Sequence, residues 1–543
     1  MRLLSLSLLL LFNFSAIAQD FYKNQRAKWL QIAEQTRPSL TETAKKPKGI
    51  VSIVKDDAAY QGWKAVPLYV IDSLYHGSFK KKSGIIIDFG EHLTGHFSFS
   101  LEDIRGVADA PLRFKFTFAE VPAEAVTPFD PYEGALSRAW LQDEIITVSE
   151  VPSTITIPRR LAFRYVKIEW LGSSRFSDFR FSNIEFKATT SVKSTPAALA
   201  ATTDPLIAKI DQVGLTTLKE CMQTVYEDGP KRDRRLWIGD LYLEALANTY
   251  SFKNHDLTKH CLYLLAALSN EKGYLNGNVF ETPKPHAQAN VLFDYALLYN
   301  VAVKDYLVAT GDKATALDLW EVVKKQTEIP KQYLHADGML DYTRASKEWW
   351  LFFDWRDGLD KQAAMHGVVI YAYKQTYELA KMLGKEKEVA GLPALISSLS
   401  KAAKKNLYNA KTKVFISGKD RQVSYASQAW MILSGVATAN EGVAAMQALT
   451  TAKDVVYPGA PYLYHYVIEA MIQCGMKKEA RDLIVNYWGG MVNKGADTFW
   501  EVYDPKNDFL SPYNSYVVNS YCHAWSCTPV YFIRKYPEIF QQK

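Results

Sequence analysis

From about Pro67 to Lys187 the apolar positions recur at every second residue. Leu112, Phe114, Phe116 and Phe118 alternate with Arg113, Lys115, Thr117 and Ala119, the spacing that lines one face of a strand. Ile85 to Ile87, Phe97 and Phe99, Ile155 and Ile157, and Phe163 to Ile168 continue it between Gly, Pro and Asp turn signals. Several short strands so spaced predict an antiparallel β-sandwich over residues 67–190. Residues 19–66 lack this regularity and predict a short helical and irregular lead-in. A stretch rich in Ser, Thr, Ala and Pro, 191–203, reads as a linker.

Beyond it the period becomes helical and stays so over 204–543. Val291–Ala309, Lys313–Gln326, Gln362–Leu383, Glu388–Leu407, Tyr462–Cys474 and Lys477–Trp488 each carry apolar residues at i, i+3 and i+4. About a dozen helices in hairpins are the content of an antiparallel helical barrel. No fixed repeat marks a solenoid.

Three features change this picture. Arg2 precedes an apolar run, Leu3 to Phe14, that ends in Ala16-Ile17-Ala18. Residues 1–18 therefore read as a secretory signal cut after Ala18, and the protein is expected in the periplasm or the medium. The run is too short to span a bilayer, and no later segment reaches about 18 apolar residues in a row, so no membrane insertion is expected. Cys221, Cys261, Cys474, Cys522 and Cys527 are an odd, sparse set that predicts buried free thiols, with Cys522 and Cys527 the one pair near in sequence. The net charge of +6 is scattered, without the basic stripe of a nucleic-acid partner. Aromatics are abundant at 13 Trp, 32 Tyr and 26 Phe, which suits rings that stack on sugars and equally a large helical core.

The chemistry gathers in three places. Glu227 to Asp240 packs four acids and four bases around a Gly229-Pro230 turn and Trp237, ahead of a helix expected to begin near Asp240. Lys494 to Glu501 carries Trp500 beside Glu501, followed by Asn519 and by His523 on an expected next helix. Glu348 to Asp357 alternates acids with Trp and includes Asp354 and Trp355, a pattern that fits the wall of a sugar pocket and a packed core equally well. A glycosidase needs two carboxyl groups flanking the scissile bond, and these clusters supply them. The ten His have no metal-ligand spacing, so no metal or other cofactor is expected.

At these residues the chain resembles glycoside hydrolase family 78, the bacterial α-L-rhamnosidases. The sandwich phrases Phe118-Ala119-Glu120-Val121 and Phe163-Arg164-Tyr165-Val166 fit it. So do Asp228, Pro230, Arg232, Asp233, Trp237, Gly239 and Asp240 in the family's Asp-x-Pro-x-Arg-Asp-Glu-Arg-Leu-Gly-Trp-x-Gly-Asp motif, Lys494 to Glu501, and the Asn519 to His523 pair. The resemblance implies an all-α (α/α)6 six-hairpin barrel behind the sandwich and an inverting hydrolase that releases terminal α-L-rhamnose, or a related sugar, from an oligo- or polysaccharide. It assigns Glu501 as general base, and Asp228, Arg232, Trp237 and His523 as sugar contacts. Asp240, Asp354, Trp355 and Trp500 complete the expected binding set. The family's acid glutamate is replaced, since Arg232-Asp233-Arg234-Arg235 stands where Arg-Asp-Glu-Arg is usual and the motif is one residue shorter. Asp233 is expected to take the acid's place, with Asp228 and Asp240 as alternatives. Two other readings stay open: an (α/α)6 glycosidase of different specificity, with an acidic glycan suited to the basic loop, and a sugar-binding homologue without activity.

Overall fold

A computed structural model describes residues 20–541 except 83 and 106–109. The leader expected at 1–18 lies outside the described residues.

Nine strands form the N-terminal unit: β1 Thr41–Lys45, β2 Gly49–Lys55, β3 Trp63–Val70, β4 Ile85–Arg105, β5 Leu112–Ala119, β6 Asp143–Val148, β7 Ser153–Thr156, β8 Leu161–Gly172 and β9 Asp178–Thr190. Every pairing is antiparallel. The 21-residue β4 serves two layers. Its first part pairs with β2 and β8, and from Gly95 onward it pairs with β9 and β7. The register shifts between Asp88 and Leu93, where Gly90 at φ 82° bends the strand, as a bulge does. One layer is therefore β6-β5-β8-β4-β2-β3 and the other β7-β4-β9-β1. Phenylalanines fill the space between. Phe97 of β4 lies 5.3 Å from Phe118 of β5, and Phe163 of β8 lies 5.0 Å from Phe186 of β9.

The expected lead-in is corrected by the structure. Within residues 41–70, β1 to β3 belong to the sandwich. Their pattern concealed this because β1 and β3 run along sheet edges with most side chains toward solvent, so they lack an alternating apolar face. The helix Arg26–Thr36 packs instead on the barrel helix His255–Ala267, where Arg26 donates to the Ala267 carbonyl at 2.7 Å.

Residues 191–203 contain no helix or strand, and Asp204 caps the first barrel helix, Pro205–Cys221, by accepting from the backbone N–H of Leu206 at 2.8 Å. Six inner elements follow: Ile238–Tyr250, Phe293–Thr310, Gln362–Leu383, Tyr425–Leu433, Pro461–Gln473, and the turn Ala524–Cys527 with Pro529–Lys535. Each touches the next and the last touches the first, closing a ring. An outer helix precedes each inner one in sequence. Burial separates the two rings. Phe293–Thr310 is buried on nearly all sides, whereas Leu392–Leu407 buries one stripe, as inner and outer positions require.

The five cysteines are free and buried. Cys522 faces Cys221, with the two sulfurs 3.9 Å apart, and is not joined to Cys527. Among the described residues no helix is long and apolar enough to cross a membrane.

Candidate active site

The inner elements open at one end of the ring, and their first residues converge there. Trp237 is the cap of Ile238–Tyr250, with Asp240 in its first turn. Tyr295 lies in the first turn of Phe293–Thr310, and His523 caps Ala524–Cys527. Together with the 228–233 turn, the 350–355 loop, Glu501 and Tyr513 they line a cavity of about 170 Å³. That is well below the ~300–1,000 Å³ of a typical ligand pocket, so it has room for one small ring. Gly239 is required here, because a Cβ on it would enter the Tyr295 ring.

The 227–235 turn is closed by one backbone bond and one side-chain bond. The Asp228 N–H donates to the Arg235 carbonyl at 3.2 Å, and Asp228 Oδ1 accepts from the Arg235 N–H at 3.0 Å. Asp233 and Arg234 are both left-handed, at φ 63° and 54°, which costs a side-chain-bearing residue and is retained mainly where surrounding structure enforces it. Arg234 points away from the cavity and donates to the carbonyls of Pro230 and Arg160 at 2.8 and 2.7 Å. Asp233 lines the cavity and is its outermost acid, with a side chain 16% exposed against 2% for Glu501.

Glu501 is gripped on both oxygens. Tyr513 OH donates to Oε1, and Arg232 Nη2 donates to Oε2. The Ser520 N–H adds a bond to Oε2 at 3.3 Å. Arg232 is itself fixed by the Val518 carbonyl at 3.0 Å and by the Tyr513 ring, 4.5 Å from its guanidinium carbon. Its Nη1 lies 3.7 Å from Asp233 Oδ1, so one guanidinium separates Glu501 from Asp233.

Burial would raise the Glu501 pKa, but Arg232 and the Tyr513 hydroxyl hold it below the usual carboxylate range. Burial pushes His523 down to about 4, so its imidazole is neutral near pH 7 and Arg232 supplies the charge that keeps Glu501 ionised. Asp228 and Asp240 go the other way. Burial raises both well above the ordinary value, and neighbouring carboxylates add to it, chiefly Asp233 for Asp228 and Glu501 for Asp240.

Three buried polar atoms of the cavity residues have no hydrogen-bond partner among the described residues: Asp240 Oδ1, His523 Nδ1 and Trp355 Nε1. Buried polar atoms are rarely left so, and this set suits the hydroxyls of a sugar. The rest of the lining is largely aromatic. Trp237 meets Trp350 edge to face at 6.1 Å, Trp355 meets Phe352 at 5.0 Å, and Phe352 stacks on Trp525 at 5.7 Å.

The structure thus brings together Asp228, Arg232, Asp233, Trp237, Asp240, Trp355, Glu501 and His523. Two expected contacts lie elsewhere. Trp500 stacks on Tyr60 of the sandwich at 3.8 Å and lines a separate cleft of about 730 Å³. Asp354 is buried beneath the loop, where it accepts from the Gly459 N–H at 2.6 Å, and burial raises its pKa to about 7. His523 stands in extended backbone before a short turn and not on a helix. Tyr513, Tyr295, Phe352 and Trp525 were not singled out by sequence, although Phe352 lies inside the 348–357 cluster and Trp525 follows His523 in the 519–526 stretch. Among the described residues no group of three or more His, Cys, Asp or Glu is arranged to hold a metal.

The sandwich supports this site from behind. Lys231 Nζ is buried between Glu120 at 2.9 Å and Glu124 at 2.7 Å, and Glu120 also accepts from the Tyr521 N–H at 2.7 Å. One sandwich carboxylate therefore holds both the 227–235 turn and the loop that carries His523.

Residues 47–188 match the glycosyl hydrolase family 78 α-rhamnosidase N-terminal domain, and residues 197–536 match the bacterial α-L-rhamnosidase six-hairpin glycosidase domain. A rhamnosidase from Klebsiella oxytoca, solved with rhamnose bound, is similar at 41% identity over 94% of this chain and 99% of its own, with a TM-score of 0.90. The family 78 rhamnosidase of Bacillus sp. GL1 shares the fold at 22% identity over 83% of this chain and 46% of its own, TM-score 0.69. The Streptomyces avermitilis α-L-rhamnosidase, solved with L-rhamnose, shares it at 16% identity over 92% and 44%, TM-score 0.64. Comparison with curated proteins gives no match. With a family domain covering its whole barrel, the chain belongs to the bacterial α-L-rhamnosidases of glycoside hydrolase family 78 and is a glycoside hydrolase.

Proposed function

We propose that the protein is an exported, inverting, exo-acting α-L-rhamnosidase. The rhamnose bound to the Klebsiella relative supports the sugar, and the one-ring cavity supports action on a chain end. Asp228, Arg232, Asp240 and His523 would hold the ring's hydroxyls, with Trp237 and Trp355 as its apolar walls.

Glu501 is the general base. It takes a proton from a water that attacks the anomeric carbon, while Asp233 gives its proton to the departing glycosidic oxygen. Asp233 suits the acid role because the leaving group of an end-cleaving enzyme projects toward the mouth, where Asp233 is the acid nearest solvent. The observation that carries the reading is the ionised, doubly gripped Glu501 set across one guanidinium from that second acid.

The test is hydrolysis of an aryl α-L-rhamnoside followed by NMR. Inversion releases the β-anomer first, and Glu501→Gln is expected to lower kcat by roughly 10²–10⁴-fold. Asp233→Asn is expected to slow an unactivated rhamnosyl disaccharide far more than the aryl glycoside, which leaves without acid help. First release of the α-anomer would reject inversion, and equal slowing of both substrates would remove Asp233 from the acid role. Expression with the native leader is expected to yield exported protein that begins at Gln19.

A further inference from the structure

We propose that the mouth of this cavity is built for an acidic leaving sugar, with Arg235 binding the carboxylate of a uronic acid and Trp350 stacking on its ring. The inference rests on the hydrolase reading above and adds the chemistry of the second sugar.

Arg235 stands beside the proposed acid, with its Nη1 3.7 Å from Asp233 Oδ2. A residue next to the acid is next to the bond that breaks, on the leaving side. Its guanidinium lies over the Phe280 ring at 4.6 Å, and Phe280 stacks on His286 at 4.6 Å and 8°. Those two rings are directly opposed in the hairpin of Asn278–Phe280 with His286–Ala287, and the neighbouring pair, Trp237 with Asn278, ties that hairpin to the cavity wall. A guanidinium placed over an aromatic ring is restrained there by cation–π attraction.

The hydrogen-bonding capacity of Arg235 is underused. The Nε of Arg235 is buried and has no hydrogen-bond partner among the described residues. The surrounding cations are already engaged or add to the positive field. Arg160 takes both oxygens of Glu227 at 2.7 Å, and Arg234 takes only carbonyls. The side chain is 22% exposed, and its two terminal nitrogens match a carboxylate in a bidentate pair. Trp350 lines the cavity yet remains 41% exposed, braced edge-on by Trp237. An exposed Trp at a pocket rim offers a face to a pyranose.

The experiment compares α-L-rhamnosyl-(1→4)-glucuronic acid with α-L-rhamnosyl-(1→4)-glucose. Calorimetry on Glu501→Gln gives the two affinities without turnover, and kcat/KM on the parent gives the two rates. The uronate is expected to bind at least tenfold more tightly, with an advantage that shrinks as NaCl is raised, since partly exposed charges are screened. Arg235→Gln on the same background is expected to bring the ratio near one, while Trp350→Ala is expected to weaken both disaccharides alike. Equal affinity for the two sugars, or a ratio that survives Arg235→Gln, overturns the proposal. If Arg235→Gln does not fold, the parent ratio and its salt dependence decide alone. An aryl α-L-rhamnoside isolates the hydrolase reading. No turnover of it with the uronate still preferred would sink that reading and leave this one standing.

Discussion

At the scale of single residues, the site depends on opposite electrostatic treatment of acids a few ångströms apart. Glu501 must be ionised to act as a base, and Tyr513 and Arg232 stabilise that form. Tyr513→Phe removes a hydrogen bond to a charged group, worth ~1.5–3 kcal/mol. It is expected to lower kcat/KM about ten- to a hundredfold. It also raises the Glu501 pKa, so the low-pH limb of the pH–rate profile is expected to move to higher pH, and an unmoved limb would deny the contact any role in keeping Glu501 ionised. Asp240 is the reverse case. Its folded pKa lies above its ordinary 3.8, so its contribution to stability is full below that value and is lost as pH rises through the folded pKa. Asparagine cannot ionise. Asp240→Asn is expected to lose activity while its Tm, relative to the parent, rises as pH is raised above about 4.

Much of this residue set was legible because the Asp-x-Pro-x-Arg-Asp run and the Trp-Glu phrase are ordered polar clusters. Trp500 misled because neighbours in extended backbone point to opposite faces, so the residue beside Glu501 faces the sandwich. Asp354 misled because a loop aspartate commonly satisfies backbone N–H groups. Tyr513 carried no signal at all. It is one of 32 tyrosines, in a loop without spacing.

At the scale of elements, the turn before the first inner helix is where this chain departs from its family's motif. Arg234 occupies the place of the family's acid, but its left-handed backbone and its bonds to two carbonyls direct it toward the sandwich. Arg234→Glu, which restores the family residue by name, is accordingly expected not to raise activity on any rhamnoside. It is expected to destabilise the turn by roughly 1–3 kcal/mol, as buried carbonyls lose their donor. An active Arg234→Glu/Asp233→Asn double variant would show that the turn can rebuild the usual acid. The helical periods were legible wherever a helix is long. Gln362–Leu383 has the bounds its pattern predicts, whereas Lys313–Gln326 breaks at Leu319. Edge strands left no such trace.

At the scale of the molecule, the sandwich is part of the active site's foundation. The change of period from two to helical announces two units, but nothing in it tells how they join. The join includes a buried charge cluster in which Lys231 lies more than a hundred residues from Glu120 and Glu124. Removing one member of such a cluster strands the others. Lys231→Met is expected to cost ~3–5 kcal/mol, measured by urea unfolding, and to raise KM by loosening the loop that carries His523. Adding Glu124→Gln is expected to recover part of the loss, because a stranded carboxylate is then removed. Additive losses would mean that the two side chains are not coupled.

The floor of the cavity has one further consequence. Beneath Tyr295 and Phe352 lie Tyr462 and then Tyr466, ring against ring, so the hollow is a cul-de-sac with no far exit. A polymer cannot thread through it. The exo-acting enzyme proposed above would clip one unit from a tip in each cycle and let the remainder diffuse away. Degradation should therefore track the number of branch ends in a glycan and be nearly indifferent to its length, leaving the viscosity of a long backbone intact while free monosaccharide accumulates.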